Sequence, residues 1–264
     1  MIHAFLVALA LAGAPPSGPP PAEARVLSVY DGDTFTLVTG DKIRLKWVNT
    51  PELRPKEAYG EEAKQLAQRL IQDEVVKLVL DGPNPRDSYG RVIAGVTTSS
   101  GKDLSLEIIR AGLGHLFIIP PDHADLTAHL AAQAEARKAR IGIWSTESYF
   151  GVLHMTSFHA NASGDDNQNV NGEYARVCNI STETVDLSQY KIQTRSGTNY
   201  ALPKMDVPPG HTVQIRSGKG SPQDDPRFQL EAFLGSDEPI WNNDYDVMTI
   251  VDAQGHTVDQ RGSK

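Results

Sequence analysis

One cysteine, Cys178, stands in 264 residues. That excludes a disulfide within the chain and any cysteine-built zinc cluster. In the strand-like run from Tyr174 to Ile180 the thiol reads as a small buried apolar residue. No segment offers the roughly 20 apolar residues that a membrane-spanning helix needs. The N-terminal run Ile2–Ala14 is shorter and has the length of a signal-peptide core, although no Lys or Arg precedes it. Ala12-Gly13-Ala14 and Ala22-Glu23-Ala24 both resemble cleavage sites, and Pro-rich chain lies between them. Residues 1–24 therefore read as an export signal and linker, and the mature protein as secreted or periplasmic. No histidine pair has the four-residue spacing with a third ligand that zinc would use. His115, His123 and His129 read as surface or helix-end residues.

An excess of basic charge is also missing. Lys and Arg number 25 against 33 Asp and Glu, a net charge of −8. The imbalance is uneven. Between Arg25 and Thr146 there are 16 basic and 16 acidic residues, whereas Glu147–Lys264 holds 9 and 16. The second half should repel a polyanion unless its few bases are clustered.

The two halves also differ in pattern, and no repeat relates them. Arg25–Tyr30, Thr34–Val38 and Lys42–Val48 alternate or run apolar between Asp-Gly and Thr-Gly-Asp turns, a three-strand meander. Ala58–Gln72 carries an apolar stripe of helical period. Val75–Leu80 and Val92–Thr97 read as strands, Leu104–Ala111 as a short helix, Leu113–Ile118 as a strand and Ala124–Arg140 as an Ala-rich helix. Five of these strands, with the three helices over residues 25–146, suit a small OB-type barrel. Residues 152–264 lack helical stripes. Gly151–His159, Glu173–Ile180, Tyr190–Thr194, Thr212–Arg216, Val247–Val251 and Thr257–Gln260 suggest an antiparallel β-sandwich. Trp144 and Trp241 read as core residues, Asp165–Asn169 as a solvated turn, and Asn161 and Asn179 as glycosylation sequons by pattern alone.

The chemistry concentrates between Val29 and Leu53. Asp31 and Asp33 sit in a Gly-containing turn, Arg44 follows on an alternating strand, and Asn49-Thr50-Pro51-Glu52 closes the stretch. A second cluster, Asp87-Ser88-Tyr89-Gly90-Arg91, adds a further arginine. Hard oxygen donors, two guanidiniums and a separate carboxylate are the parts needed to hydrolyse a phosphodiester with one divalent cation. Alone, Asp-Gly is a common hairpin turn and the arginines could be surface charges.

The blocks VYDGDTFTL, IRLKWVNTPEL, AYGEEAKQLAQRL, DSYGRVIAGV, IIRAGLGHL and AEARKARIGIW occur in the order found in staphylococcal-nuclease-like domains, which the first half resembles. The resemblance implies an OB-fold nuclease that cuts DNA and RNA with calcium. It matches Arg44, Glu52 and Arg91 to the catalytic trio and Tyr89 to the phosphate pocket. It matches Asp33, position 49 and the Thr50 carbonyl to the metal, with Asp31 nearby. Two departures stand out. Asn49 replaces the family's aspartate, which removes a charge from the metal site, and Ser88 replaces a pocket lysine. The second half, through NGEYARVCNIS, VPPGHTVQIRSGKG and IWNNDYDVMTIVDAQGHTVDQ, resembles a lamin-tail, immunoglobulin-like domain. That fold does not fix a role; a protein, glycan or cell-surface partner is expected for it. The competing expectation is a catalytically weak nucleic-acid-binding or scaffolding protein.

Overall fold

The computed structural model describes residues 18–82 and 85–263. The apolar N-terminal run and the Ala12-Gly13-Ala14 motif fall outside the described residues. The first half comprises β1 (Glu23–Val29), β2 (Thr34–Leu37), β3 (Lys42–Leu45), β4 (Trp47–Asn49), α1 (Gly60–Ile71), β5 (Val75–Leu80), β6 (Val92–Thr97), α2 (Leu104–Arg110), β7 (His115–Phe117) and α3 (Thr127–Ala139). Five of the strands close a barrel in the order β1-β2-β3-β6-β5. In it β3 runs parallel to β6 and the other pairs are antiparallel. Val26, Phe35, Leu37, Ile43, Leu45, Val76, Val92 and Ala94 fill the core. The helix α1 covers the barrel with Ala63, Ala67 and Ile71, one stripe spaced by four. Glu61 and Glu62 in its first turn complement the helix dipole.

The third expected strand, Lys42–Val48, is broken. β3 ends at Leu45, and β4 leaves the barrel to pair with β7. Trp47 takes a left-handed conformation with φ of 65°, a strain of order 1–3 kcal/mol. Its setting offsets that cost. The indole N–H donates to Asp122 Oδ2 at 2.7 Å, and Lys46 pairs with Asp122 at 3.0 Å and with Asp81. The break matters for chemistry because it turns Asn49 towards Arg44.

The second half contains β8 (Leu153–His159), β9 (Tyr174–Asn179), β10 (Val185–Asp186), β11 (Tyr190–Thr194), β12 (Asn199–Ala201), β13 (Asp206–Val207), β14 (Thr212–Arg216), β15 (Leu230–Phe233), β16 (Val247–Asp252) and β17 (Thr257–Gly262). Two four-stranded sheets, β15-β14-β9-β8 and β12-β11-β16-β17, pack over Met155, Val177, Ile192, Val213, Ile250 and Trp241. The sandwich is not wholly antiparallel, because β14 and β15 run parallel. β10, β12, β13 and β15 are too short to show a period in the sequence. Asn179 is fully buried and its amide donates to the Glu183 and Val207 carbonyls, so its sequon is closed to a glycan. Asp165–Asn169 forms a turn in which Asp166 alone is buried and the other residues are exposed.

The halves share a core rather than a free linker. Ala136, Ile143, Trp144 and Tyr149 pack with Cys178 and Ile180. Beyond β7, Ile118 hydrogen-bonds into the sandwich: its N–H donates to Gly210 O at 2.8 Å, and its carbonyl accepts from the Thr212 N–H at 3.1 Å. Gly210, at φ of 74°, has no room for a side chain, since a Cβ would lie 2.6 Å from Leu116. Arg137 donates to the Ile180 and Gly151 carbonyls at 2.7 and 2.8 Å. Burial at this junction pushes the Cys178 thiol well above its ordinary range and so keeps it protonated.

Of the three histidines read as surface or helix-end groups, His129 does stand in the first turn of α3, and His115 lies on β7 at the junction. His115 and His129 are buried, while His123 is exposed. His129 packs edge-on to Trp47 and lies 3.3 Å from Asp103. His115 faces His154 of the sandwich with ring centroids 5.5 Å apart. Complete burial, then His154, holds its pKa down to about 3, so it stays neutral.

Among the described residues no helix is long and apolar enough to cross a membrane.

Candidate active site

One cleft of about 120 Å³ is lined by Tyr30, Asp31, Asp33, Thr34, Lys42, Arg44, Asn49, Thr50, Pro51, Glu52 and Arg91. The β1–β2 turn, β3, β4 and the start of β6 each contribute, so residues sixty positions apart in sequence converge on one volume. A larger open cavity of about 510 Å³ lies in the sandwich, between Gly164–Asn167 and Pro239–Asn243, away from these groups.

The β1–β2 turn is held shut against α1. A side chain at Gly32 would come within 2.7 Å of Ala63 Cβ and of Thr50, so only glycine lets the turn pack there. That closure buries both carboxylates: Asp31 is 9% exposed and Asp33 is 6% exposed. The Asp33 N–H donates to Asp31 Oδ1 at 3.1 Å. Asp33 Oδ2 accepts from the Thr50 N–H at 2.9 Å and its hydroxyl at 3.0 Å, and Oδ1 accepts from the Thr34 hydroxyl at 3.1 Å.

Arg44 lies opposite Ile43 and Leu45 on β3 and points into the cleft. It donates to the Leu45 and Val48 carbonyls at 2.7 and 2.9 Å and to Asn49 Oδ1 at 2.9 Å, and it lies 3.3 Å from Asp33 Oδ2. Arg91 is more open. Its Nε donates to Asp87 Oδ2 at 2.7 Å, while Asp87 Oδ1 accepts the N–H groups of Tyr89 and Arg91. Tyr89 stands outside the cleft lining, 72% exposed, with the Arg91 guanidinium 5.4 Å from its ring centroid. Glu52 lines the cleft from the loop before α1. Its N–H donates to Glu57 Oε2 at 2.8 Å, and its carbonyl accepts from the Glu57 N–H at 2.9 Å.

Three residues of this environment escaped the sequence reading. Lys42 and Tyr30 line the cleft, the ammonium 5.0 Å from the ring centroid. Strand alternation carried that signal, because Lys42 lies two residues from Arg44 and shares its face. Glu57 had no signal, since it acts through a loop hydrogen bond.

Could the cleft hold a cation? Its donors are the Asp31 and Asp33 carboxylates, the Asn49 amide oxygen and the Thr50 carbonyl, all hard oxygens. No group of three or more His, Cys, Asp or Glu side chains among the described residues forms a metal cage. Two carboxylates with neutral oxygens, finished by water and substrate, suit a hard divalent ion that must leave positions open. The cleft balances three acids (Asp31, Asp33, Glu52) against three bases (Lys42, Arg44, Arg91). A phosphodiester would add negative charge that a bound cation offsets.

Burial, and then Asp33 beside it, raise the Asp31 pKa from its ordinary value near 3.8 to about 7. The neutral acid is thus favoured in the folded chain, and this contribution is complete below pH 3.8 and lost as pH rises through about 7. With chelator present, Asp31→Asn should therefore melt higher than the parent at pH 8 and level with it at pH 4. A gain of about 2–4 °C corresponds to roughly 1 kcal/mol in a chain of this size. Thermal melts across that range check it; equal melting at pH 8 contradicts the burial argument.

A family model described as staphylococcal nuclease homologue matches residues 42–146, and one described as lamin tail domain matches 148–264. The chain is 31% identical to a thermonuclease of Staphylococcus hyicus over 129 residues, 46% of this chain and 75% of that protein. It is 28% identical to Endonuclease YncB of Bacillus subtilis (strain 168) over 127 residues, 45% of this chain and 60% of the relative. With Endonuclease YhcR of the same organism identity is 33% over 147 residues, half of this chain but only 12% of that protein's length. The chain belongs to the staphylococcal nuclease homologues, and a lamin tail domain forms its second half.

Proposed function

We propose that the protein is a calcium-dependent phosphodiesterase that cuts DNA and RNA without base specificity. The observation that carries this reading is the convergence of Asp31, Asp33, Arg44, Asn49, Thr50, Glu52 and Arg91 on one cleft. Relatives named endonuclease and thermonuclease support it. The proposed groups address phosphate rather than base edges, so sequence-independent cutting follows.

Asp33, the Asn49 amide oxygen and the Thr50 carbonyl would hold the calcium, with Asp31 beside them. Bound there, the ion would polarise a phosphate oxygen and offset the substrate's charge. The rest belongs to the chain. Glu52 orients a water in line with phosphorus and takes its proton. Arg44 and Arg91 donate N–H groups to the equatorial oxygens as charge builds on the pentacoordinate species. Arg44 exchanges its contact with Asn49 for the phosphate as substrate enters. By family resemblance the 5′-oxygen leaves, giving 3′-phosphate ends. Tyr89, at the rim, packs beside the phosphate that Arg91 holds.

Asn49 supports a second reading, a catalytically weak nucleic-acid-binding or scaffolding protein. The amide carries one charge fewer than the family's aspartate, and its oxygen is engaged by Arg44. Incubation with plasmid and with RNA, in calcium and then in chelator, separates the two. Degradation that chelator abolishes supports the nuclease; retention of both polymers without cleavage supports the second reading.

The sandwich serves binding or attachment to a protein, glycan or cell surface, since its acidic balance disfavours nucleic acid. Export follows from the N-terminal pattern. Of the two cleavage motifs, Ala22-Glu23-Ala24 runs into β1, where Glu23 and Ala24 pair with Lys77 and Val76. Processing at the earlier motif keeps the barrel strand whole.

A further inference from the structure

The loop that carries Glu52 is fastened from the other domain. Glu57 closes a small ring with Glu52, its Oε2 accepting the Glu52 N–H at 2.8 Å while its own N–H donates to Glu52 O at 2.9 Å. The second carboxylate oxygen, Oε1, lies 3.2 Å from Nη2 of Arg261, which belongs to β17 at the far end of the chain. Arg261 is itself held, since its Nη1 donates to the Met155 carbonyl at 2.9 Å. Asp259, two residues earlier, accepts the Met155 N–H at 2.6 Å, which locks β17 to β8. The wall of this contact is the buried Tyr149 ring, stacked on His154 at 4.3 Å. Burial, followed by the neighbouring Glu57 and Asp259 carboxylates, raises the Tyr149 phenol's pKa and keeps it neutral.

We propose that Arg261 is a positioning residue for Glu52, so that the lamin tail domain is a working part of the cleavage site and not only an attachment module. The inference rests on the reading of Glu52 as the group that handles the attacking water. Glu52 sits between β4 and α1, where no strand or helix fixes it, so its direction depends on what its loop is tied to. Arg261 fixes the Glu57 carboxylate, and Glu57 fixes the Glu52 backbone. Without Arg261 the Glu57 side chain is drawn to solvent and the ring with Glu52 opens. The pair is partly exposed, 15% for Arg261 and 28% for Glu57, so stability is read beside rate in the test below. Its effect should fall on orientation.

The test uses the full chain with Arg261→Ala, Arg261→Lys, Glu57→Gln and the double variant Arg261→Ala/Glu57→Gln. Arg261→Ala should lower kcat about 10- to 100-fold, the scale of a misplaced reacting group. KM should stay within about twofold, because no substrate contact is removed. Arg261→Lys should recover most of the rate, and the double variant should be no slower than the worse single one. Amide exchange of the peptide spanning residues 52–57 should rise in Arg261→Ala, a readout that does not need cleavage. Unchanged kcat and exchange in Arg261→Ala overturn the proposal, as does a rate loss that only follows a falling Tm or adds fully in the double variant. A parent protein that never cuts sinks the nuclease reading, while the exchange measurement still decides the Arg261 contact.

Discussion

Glu52→Gln is expected to slow phosphodiester cleavage by about 10²–10⁴-fold, the usual cost of losing a general base. The substitution keeps size and shape and removes only the capacity to take a proton. The Glu52 contacts with Glu57 run through backbone N–H and C=O, so the loop should hold its place. Substrate retention and melting temperature should therefore match the parent. Single-turnover cleavage of end-labelled DNA, with retention measured in parallel, reads both quantities. Parent-like turnover would remove Glu52 from the mechanism.

Arg44→Ala and Arg91→Ala should each cost about 10²–10³ in rate, the scale of one preorganised charged donor. Their stabilities should diverge. Arg44 is 14% exposed and serves two carbonyls, Asn49 and Asp33, so its loss strands several half-buried acceptors. Unpaired groups of that kind cost about 1–3 kcal/mol. Arg91 is 28% exposed and pairs with Asp87, a surface ion pair worth about 0–1 kcal/mol. Rates measured beside thermal melts should show both variants slow and only Arg44→Ala less stable. A stable, fast Arg44→Ala would leave that guanidinium without a role. Arg44→Lys keeps the charge but not the planar fork and should remain well below the parent.

Much of the barrel was legible because its strands alternate and its turns are marked by Asp-Gly and Thr-Gly-Asp. Val75–Leu80 and Val92–Thr97 fall where the apolar runs place them. The break at Trp47 was not legible, since nothing in Lys42–Val48 announces a left-handed residue held by Asp122 from beyond β7. The parallel β14–β15 pair escaped for a related reason, because pairing direction is a long-range property that period does not encode. At the cleft, the motif order placed Asp33, Arg44, Asn49, Glu52 and Arg91 together, and alternation could have added Lys42. Glu57 and Arg261 could not be read, because their contact joins a loop of the barrel half to the last strand of the sandwich. The burial of His115 arises in the same way, from a neighbour, His154, contributed by the other half.

The most direct test is the structure of the Glu52→Gln chain with calcium and a short DNA. The account predicts calcium on Asp33, Asn49 and the Thr50 carbonyl, with one backbone phosphate gripped by Arg44 and Arg91 together. DNA seated on another face, with Arg44 still fastened to Asn49 and Asp33, would contradict it.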